Sequence, residues 1–152
     1  RLTLYYSRQG GQTEHGRILE PKHESEVIET IRSAMRKHNV NEHLVIYNGL
    51  ESNGDAMSTE RQFELFRSAR TIIGPHGSGM ANMLWAYPTP TSCQDRTQVL
   101  EFIGGPDSMV YPRGSFEHNY YTVFRGMPLD FHNIVYTKHS DSLTTYVDLG
   151  AL

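Results

Sequence analysis

A chain of 152 residues with a formal net charge of −3, 38% hydrophobic and 20% charged residues has the composition of a folded globular domain. It carries no disorder signature and, with no basic block, speaks against a nucleic-acid partner. The single cysteine, Cys93, allows neither an internal disulfide nor a cysteine-based metal site, and no apolar run approaches the ~20 residues of a membrane span. This length suits one domain, or half of a two-domain protein, with about 68–70% of the unfolded surface buried. The chain starts at Arg1 and is expected to be a piece of a longer protein, so the absence of a targeting signal says little about the parent.

In chain order, Leu2 to Tyr6 is short, apolar and β-prone, and reads as a strand with Arg8 at its C-terminal end. Ser7 to Gly16 is polar and glycine-rich and reads as a loop. Pro21 and Ser25 announce a helix, expected from Ser25 to His38, with Val27, Ile28, Ile31, Ala34 and Met35 at helical spacing. His43 to Tyr47 is the next strand. Asn48 to Met57 is rich in turn residues. Thr59 with Gln62 fits a capping box ahead of a second amphipathic helix, Thr59 to Ser68. Thr71 to Ile73 reads as a buried strand, and a helix from Gly79 must stop before Pro88. Thr89 to Thr97 is a loop, and Gln98 to Ile103 is a fourth strand. Met109 to Asn119 is irregular, Tyr120 to Arg125 suggests a short helix, and Phe131 to Tyr136 a last strand; Thr137 to Leu152 gives weak signals. Alternating strands and helices imply an α/β fold: a three-layer, Rossmann-like, mostly parallel sheet with right-handed crossovers. In such sheets ligands bind beyond the C-terminal ends of strands, where Arg8, Asn48, the segment 75–79 and the segment 101–105 fall.

The chemistry gathers at Gly74-Pro-His-Gly-Ser-Gly-Met-Ala-Asn82. Strand, glycine-rich turn and helix opening present backbone N–H groups and a positive dipole end to an anion, most often phosphate. Glycine suits a backbone that a ligand approaches closely. Gly77 and Gly79 match the first two positions of a dinucleotide fingerprint, but Asn82 replaces the third glycine. Glu101, 22 residues after Gly79, stands where an acid commonly takes ribose hydroxyls. A glycine-rich turn is also a purely structural device, and a histidine is often only a satisfied core residue. His76, within this turn, suits contact with a phosphate or proton transfer. Ser78 suits a phosphate contact better than a nucleophile's role, since Gly-Ser-Gly lacks the G-x-S-x-G spacing. Arg8 and Arg17 flank the first loop, and arginine suits bidentate phosphate contact. The eight histidines show no metal-ligand spacing, and no bound metal is expected. Trp85, Tyr120 and Tyr121 read as core residues. A dinucleotide-binding oxidoreductase domain and a serine hydrolase using Ser78, His76 and either Asp107 or Asp130 remain as alternatives.

The same residues resemble the signature of glycosyltransferase family 61, roughly A-x-x-h-h-G-x-H-G-A-G-h-x-N with h apolar. Ala69, Ile72, Ile73, Gly74, His76, Gly77, Gly79, Met80 and Asn82 match it, and Ser78 departs from the usual alanine. Tyr6-Ser-Arg8 followed by Gly16-Arg-Ile-Leu19 resembles the family's two-arginine segment, with Glu20 where asparagine is usual. Thr59 to Phe66 and Val99-Leu-Glu101 resemble the elements on either side of the signature, so that the resemblance covers about residues 2 to 136. The family includes xylosyl- and arabinosyltransferases of plant arabinoxylan and O-linked N-acetylglucosaminyltransferases of EGF domains and dystroglycan. The resemblance implies the C-terminal, nucleotide-sugar-binding half of a GT-B enzyme. It also implies inverting transfer of a sugar, xylose or N-acetylglucosamine, from a UDP-sugar to a hydroxyl of a glycan or protein without metal. The amides of Gly77, Ser78 and Gly79, with Arg8 and Arg17, would hold the pyrophosphate. Glu101 would take the ribose, Asn82 would fix the turn, and His76 would contact the donor. The general base has no assigned residue and would lie in the missing N-terminal half. The Golgi or ER lumen is implied for a eukaryotic member, the cytoplasm for a bacterial one, with membrane attachment only outside this segment. A binding or scaffold domain without catalysis is the remaining alternative.

Overall fold

Neighbouring strands of this chain carry apolar residues in adjacent pairs, and the fold divides each pair between two cores. In the computed structural model, which describes residues 1–9, 18–86, 96–104, 127, 129–138 and 144–152, β1 (Leu2–Tyr6), β3 (His43–Tyr47), β4 (Ala69–Pro75), β5 (Thr97–Gly104) and β6 (Leu129–Lys138) run parallel. The register aligns Leu4 with Ile72 and Ile72 with Val99, and Tyr5 with Ile73 and Ile73 with Leu100. Successive side chains point to opposite faces. Leu4, Ile72 and Val99 therefore join Phe66, Met80 and Met83 on one side. Tyr5, Ile73 and Phe102 join Val27 and Ile31 on the other. A sheet buried on both faces needs near-continuous apolar strands, which is what these segments supply.

The helices α1 (Pro21–Lys37) and α2 (Thr59–Ser68) supply those two layers, α2 together with a 310 helix at Ser78–Trp85. The sheet order is β2-β7-β6-β5-β4-β1-β3, where β2 is Ile18–Leu19 and β7 is Thr144–Val147. After β1 the chain places β2 at the far edge, enters β3 beside β1 by way of α1, returns past β1 to β4, and then proceeds outward through β5 and β6. The direction reverses between β1 and β4, the crevice where doubly wound sheets bind ligands. The expected three-layer α/β architecture with a mostly parallel sheet stands. β7 departs from it, pairing antiparallel with β6 at Tyr136 to Lys138.

Several boundaries differ from expectation, each for a local reason. The first helix starts at Pro21, not Ser25: the Glu20 carboxylate accepts from the His23 N–H at 2.8 Å, and Pro21 fills the position that needs no donor. Ser25 instead donates to the Pro21 carbonyl within the helix. The second helix has the expected bounds but a different cap. Ser58 Oγ accepts from the Arg61 N–H at 3.2 Å, so the Thr59–Gln62 capping box does not form. The helix opening after β4 winds as 310, with Met80 N–H on the Gly77 carbonyl and Ala86 N–H on Met83. The weakly signalled tail contains β7 and a 310 turn at Leu149–Ala151, where Leu149 and the following Leu152 pack beside α1's core. The short helix expected at Tyr120 to Arg125 and the irregular stretch Met109 to Asn119 lie outside the described residues.

Candidate functional site

At the C-terminal ends of β1, β4 and β5, three side chains meet. Arg8 follows β1 and donates from Nη1 to the carbonyl of His76 at 3.0 Å. His76 follows β4, its backbone N–H held by the Phe102 carbonyl of β5 at 2.9 Å. Its Nδ1 lies 2.5 Å from Oε1 of Glu101 on β5. The register that places Glu101 beside Gly74 fixes this juxtaposition. Arg8 is half-buried and makes no ion pair among the described residues. A guanidinium held by a carbonyl keeps further N–H donors that suit an anion's oxygens.

The glycines of the turn are explained by what lies against them. A Cβ at Gly77 would sit 2.7 Å from Nη1 of Arg8, and one at Gly79 would sit 2.5 Å from Cζ of the Tyr6 ring. A Cβ at Gly74 would meet the Tyr6 carbonyl at 2.7 Å. The close approach that the turn needs is therefore made by the protein's own β1 end. Arg8 lies against Gly77, and Tyr6, whose ring also meets Tyr47 at 5.9 Å, lies against Gly79. Tyr6 is the residue that sequence reasoning missed; its place two positions before Arg8, on the strand end beside the glycine turn, was the available signal.

The 310 helix begins at Ser78 with Gly77 as its cap residue and no side-chain capping bond. Its first N–H groups thus open beside Arg8, as an anion cradle requires. Ser78 is exposed and has no described hydrogen bond to His76. Asn82 turns away from the crevice: its Nδ2 donates to Gln62 Oε1 at 2.9 Å, an oxygen that also accepts from the Tyr47 hydroxyl at 2.6 Å. Gln62 completes this junction by donating to the Met57 carbonyl at 2.8 Å. Burial pushes the Tyr47 hydroxyl's pKa up, against the opposing pull of Asn82. Asn82 thereby ties the 310 helix to α2. The Glu101 carboxylate, expected at ribose hydroxyls, is fully buried and faces His76. Arg17 lies outside the described residues.

The serine-hydrolase alternative fails on placement. Asp130 sits at the opposite, N-terminal end of β6, bonded to Gln98 at 2.9 Å and Arg96 at 3.3 Å, and Asp107 lies outside the described residues. A groove of about 490 Å³ and an apolar cavity of about 280 Å³ also lie at that far end, beneath the C-terminal half of α1. Among the described residues no cluster of three His, Cys, Asp or Glu side chains is arranged to hold a metal, and no helix is long and apolar enough to cross a membrane.

The family described as Glycosyltransferase 61 matches residues 2–100. The match runs from β1 into β5, takes in Arg8 and the whole turn from Gly74 to Asn82, and ends one residue before Glu101. Neither a curated protein nor a solved structure matches the chain.

Proposed function

Because the chain belongs to glycosyltransferase family 61, whose chemistry is sugar transfer, we propose that it binds the nucleotide of a UDP-sugar donor and serves inverting transfer of that sugar, xylose or N-acetylglucosamine, to a hydroxyl of a glycan or protein. The observation that carries this reading is the Arg8 guanidinium, clamped over Gly77 by the His76 carbonyl at 3.0 Å and facing the uncapped start of the 310 helix. In a sugar transfer, negative charge develops on the departing diphosphate as the bond from the anomeric carbon breaks. A fixed guanidinium and backbone N–H groups are organised in advance for that charge. They act without a metal ion, whose place as counter-charge Arg8 takes. His76 contacts the donor from the same turn.

The acceptor hydroxyl must lose its proton to a base, and the second half of a GT-B enzyme supplies both the base and the acceptor surface in this reading. The Golgi or ER lumen suits a eukaryotic parent, and the cytoplasm a bacterial one.

The test is calorimetric titration with UDP, UDP-xylose, UDP-N-acetylglucosamine and NAD, each with and without EDTA. Saturable UDP binding that survives EDTA is expected, with the tighter sugar nucleotide naming the donor. Arg8→Ala should lose about 1.5–3 kcal/mol of that binding, the range for a hydrogen bond to a charged group. Unchanged affinity in a folded Arg8→Ala variant would remove Arg8 from the site. Binding of NAD without UDP would replace the reading with a dinucleotide-dependent oxidoreductase.

A further inference from the structure

A 310 helix seldom exceeds about four residues, because its hydrogen bonds are poorly aligned; this one runs for 8, from Ser78 to Trp85. Residues three apart eclipse each other on such a helix, so its sequence divides into faces. Met80 and Met83, with Ala86 just beyond the last turn, form the core face and are fully buried. Ser78 and Leu84 stand on the outward face and are exposed. Gly79, Asn82 and Trp85 share the remaining face. Gly79 meets the Tyr6 ring there, Asn82 meets Gln62, and Trp85 meets the rings of Phe63 and Phe66 at 5.9 and 6.4 Å.

Gln62 governs two of those contacts. Its Oε1 accepts from Asn82 Nδ2 at 2.9 Å and from the Tyr47 hydroxyl at 2.6 Å. Asn82 also pulls on the Tyr47 hydroxyl itself, so the three side chains act as one unit. The Tyr47 ring packs on Tyr6 at 5.9 Å, and Tyr6 lies against Gly79. One amide therefore reaches the helix directly at Asn82 and, through two tyrosine rings, at Gly79. These points stand one turn apart on the same face, and together they fix the helix's rotation. The apolar contacts of Met80 and Met83 set its depth but, being non-directional, resist rotation weakly. Gln62 is itself oriented by donating from Nε2 to the Met57 carbonyl at 2.8 Å.

We propose that Gln62 is a positioning residue for the donor: by holding Asn82 and Tyr47 it sets the rotation of the 310 helix and so aims the N–H groups of Ser78 and Gly79 at the diphosphate. This deepens the reading above and rests on its diphosphate site. Gln62 acts through the helix and touches no substrate. A small rotation is enough to matter, because an N–H···O bond weakens steeply as its angle falls below about 120°.

The experiment is calorimetry of UDP-xylose and UDP-N-acetylglucosamine binding to the wild-type chain, Gln62→Met and Gln62→Glu, with amide NMR spectra of each at saturation. Methionine matches the length of glutamine and removes all of its hydrogen bonds. Glutamate keeps both accepted bonds and loses only the donor to Met57. Gln62→Met should bind about tenfold more weakly, and Gln62→Glu should recover affinity to within about threefold of wild type. The nucleotide-induced shifts of the Ser78 and Gly79 amides should shrink in Gln62→Met and return in Gln62→Glu. A role in stability alone would lower the urea midpoint and leave affinity and those shifts unmoved. Wild-type affinity in folded Gln62→Met, or equal losses in Gln62→Met and Gln62→Glu, would overturn the proposal and leave the diphosphate site standing. Failure of both nucleotides to bind the wild-type chain would overturn both. If Gln62→Met does not fold, Asn82→Leu removes the Asn82 bonds alone, keeps those from Gln62 to Tyr47 and Met57, and should also bind about tenfold more weakly; undiminished binding there would overturn the proposal equally.

Discussion

Gly74→Ala should damage the sheet itself. An added Cβ would lie 2.7 Å from the Tyr6 carbonyl oxygen, 2.9 Å from Tyr6 Cβ and 3.3 Å from its Cα. Normal contacts of this kind are near 3.5–4.0 Å, so β1 and β4 must part by at least about 0.5 Å. The obstacle is backbone and cannot rotate away. β1 is hydrogen-bonded on both sides, to β3 and to β4, and carries the fully buried Leu4 and Tyr5. Overpacking costs about 1–3 kcal/mol, and a backbone clash in a doubly paired strand belongs at the upper end. Alanine also restricts the unfolded chain, which returns up to about 1 kcal/mol. The net loss is about 2 kcal/mol. For a chain of 152 residues this lowers Tm by about 4–8 °C. Urea unfolding followed by circular dichroism should show a lower midpoint with an unchanged slope. A loss below about 0.5 kcal/mol would refute the reasoning that close strand approach demands glycine at this position.

Gly77→Ala should do the reverse. Its Cβ would meet only the end of the Arg8 side chain, at 2.7 Å from Nη1 and 3.2 Å from Cζ, so unfolding should change by less than about 0.5 kcal/mol while UDP affinity, measured by calorimetry, falls about tenfold. Ser58→Ala should cost about 1 kcal/mol in urea unfolding, and Thr59→Ala clearly less, because Ser58 caps α2. Alkaline unfolding should begin near pH 10, the ordinary tyrosine range. Burial, and then the Glu24 carboxylate accepting from its hydroxyl at 3.1 Å, raise the Tyr5 pKa above that range. Folding therefore favours the protonated hydroxyl; this stability is complete below pH 10 and is lost as pH rises above it. Tyr5→Phe should move the alkaline transition upward, as read by circular dichroism, and an unmoved transition would acquit Tyr5.

The sheet was legible because its strands are short apolar runs set between turn residues, with β1 buried on both faces. Runs such as Leu2 to Tyr6 and His43 to Tyr47 match their observed bounds, since continuous apolarity between turn residues has one economical explanation in an α/β chain. What stayed hidden was fixed by partners distant in sequence. β2, at Ile18–Leu19, is two residues long and exists only through its pairing with β7. β7 in turn is secured by the Val147 N–H donating to Nε2 of His23, 124 residues away, at 2.9 Å. No local pattern encodes such a bond. The caps of α1 and α2 were misjudged for a different reason. Glu20 and Ser58 each stand beside other residues able to cap, and the choice among neighbours was settled by how the chain enters the helix.

The glycine turn shows how a sequence signature can be right about a place and incomplete about its cause. Glycine records that something comes close to the backbone. At Gly77 and Gly79 that something is Arg8 and Tyr6, delivered by the end of β1. The nucleotide in this reading meets a surface already built from the turn and the neighbouring strand. The two glycines therefore matter to binding through the side chains that they admit. Replacing Gly77 while keeping Arg8 should then lose part of the nucleotide affinity that replacing Arg8 loses. The double change Arg8→Ala/Gly77→Ala should cost no more than Arg8→Ala alone. Two additive losses would show instead that the Gly77 backbone touches the nucleotide directly.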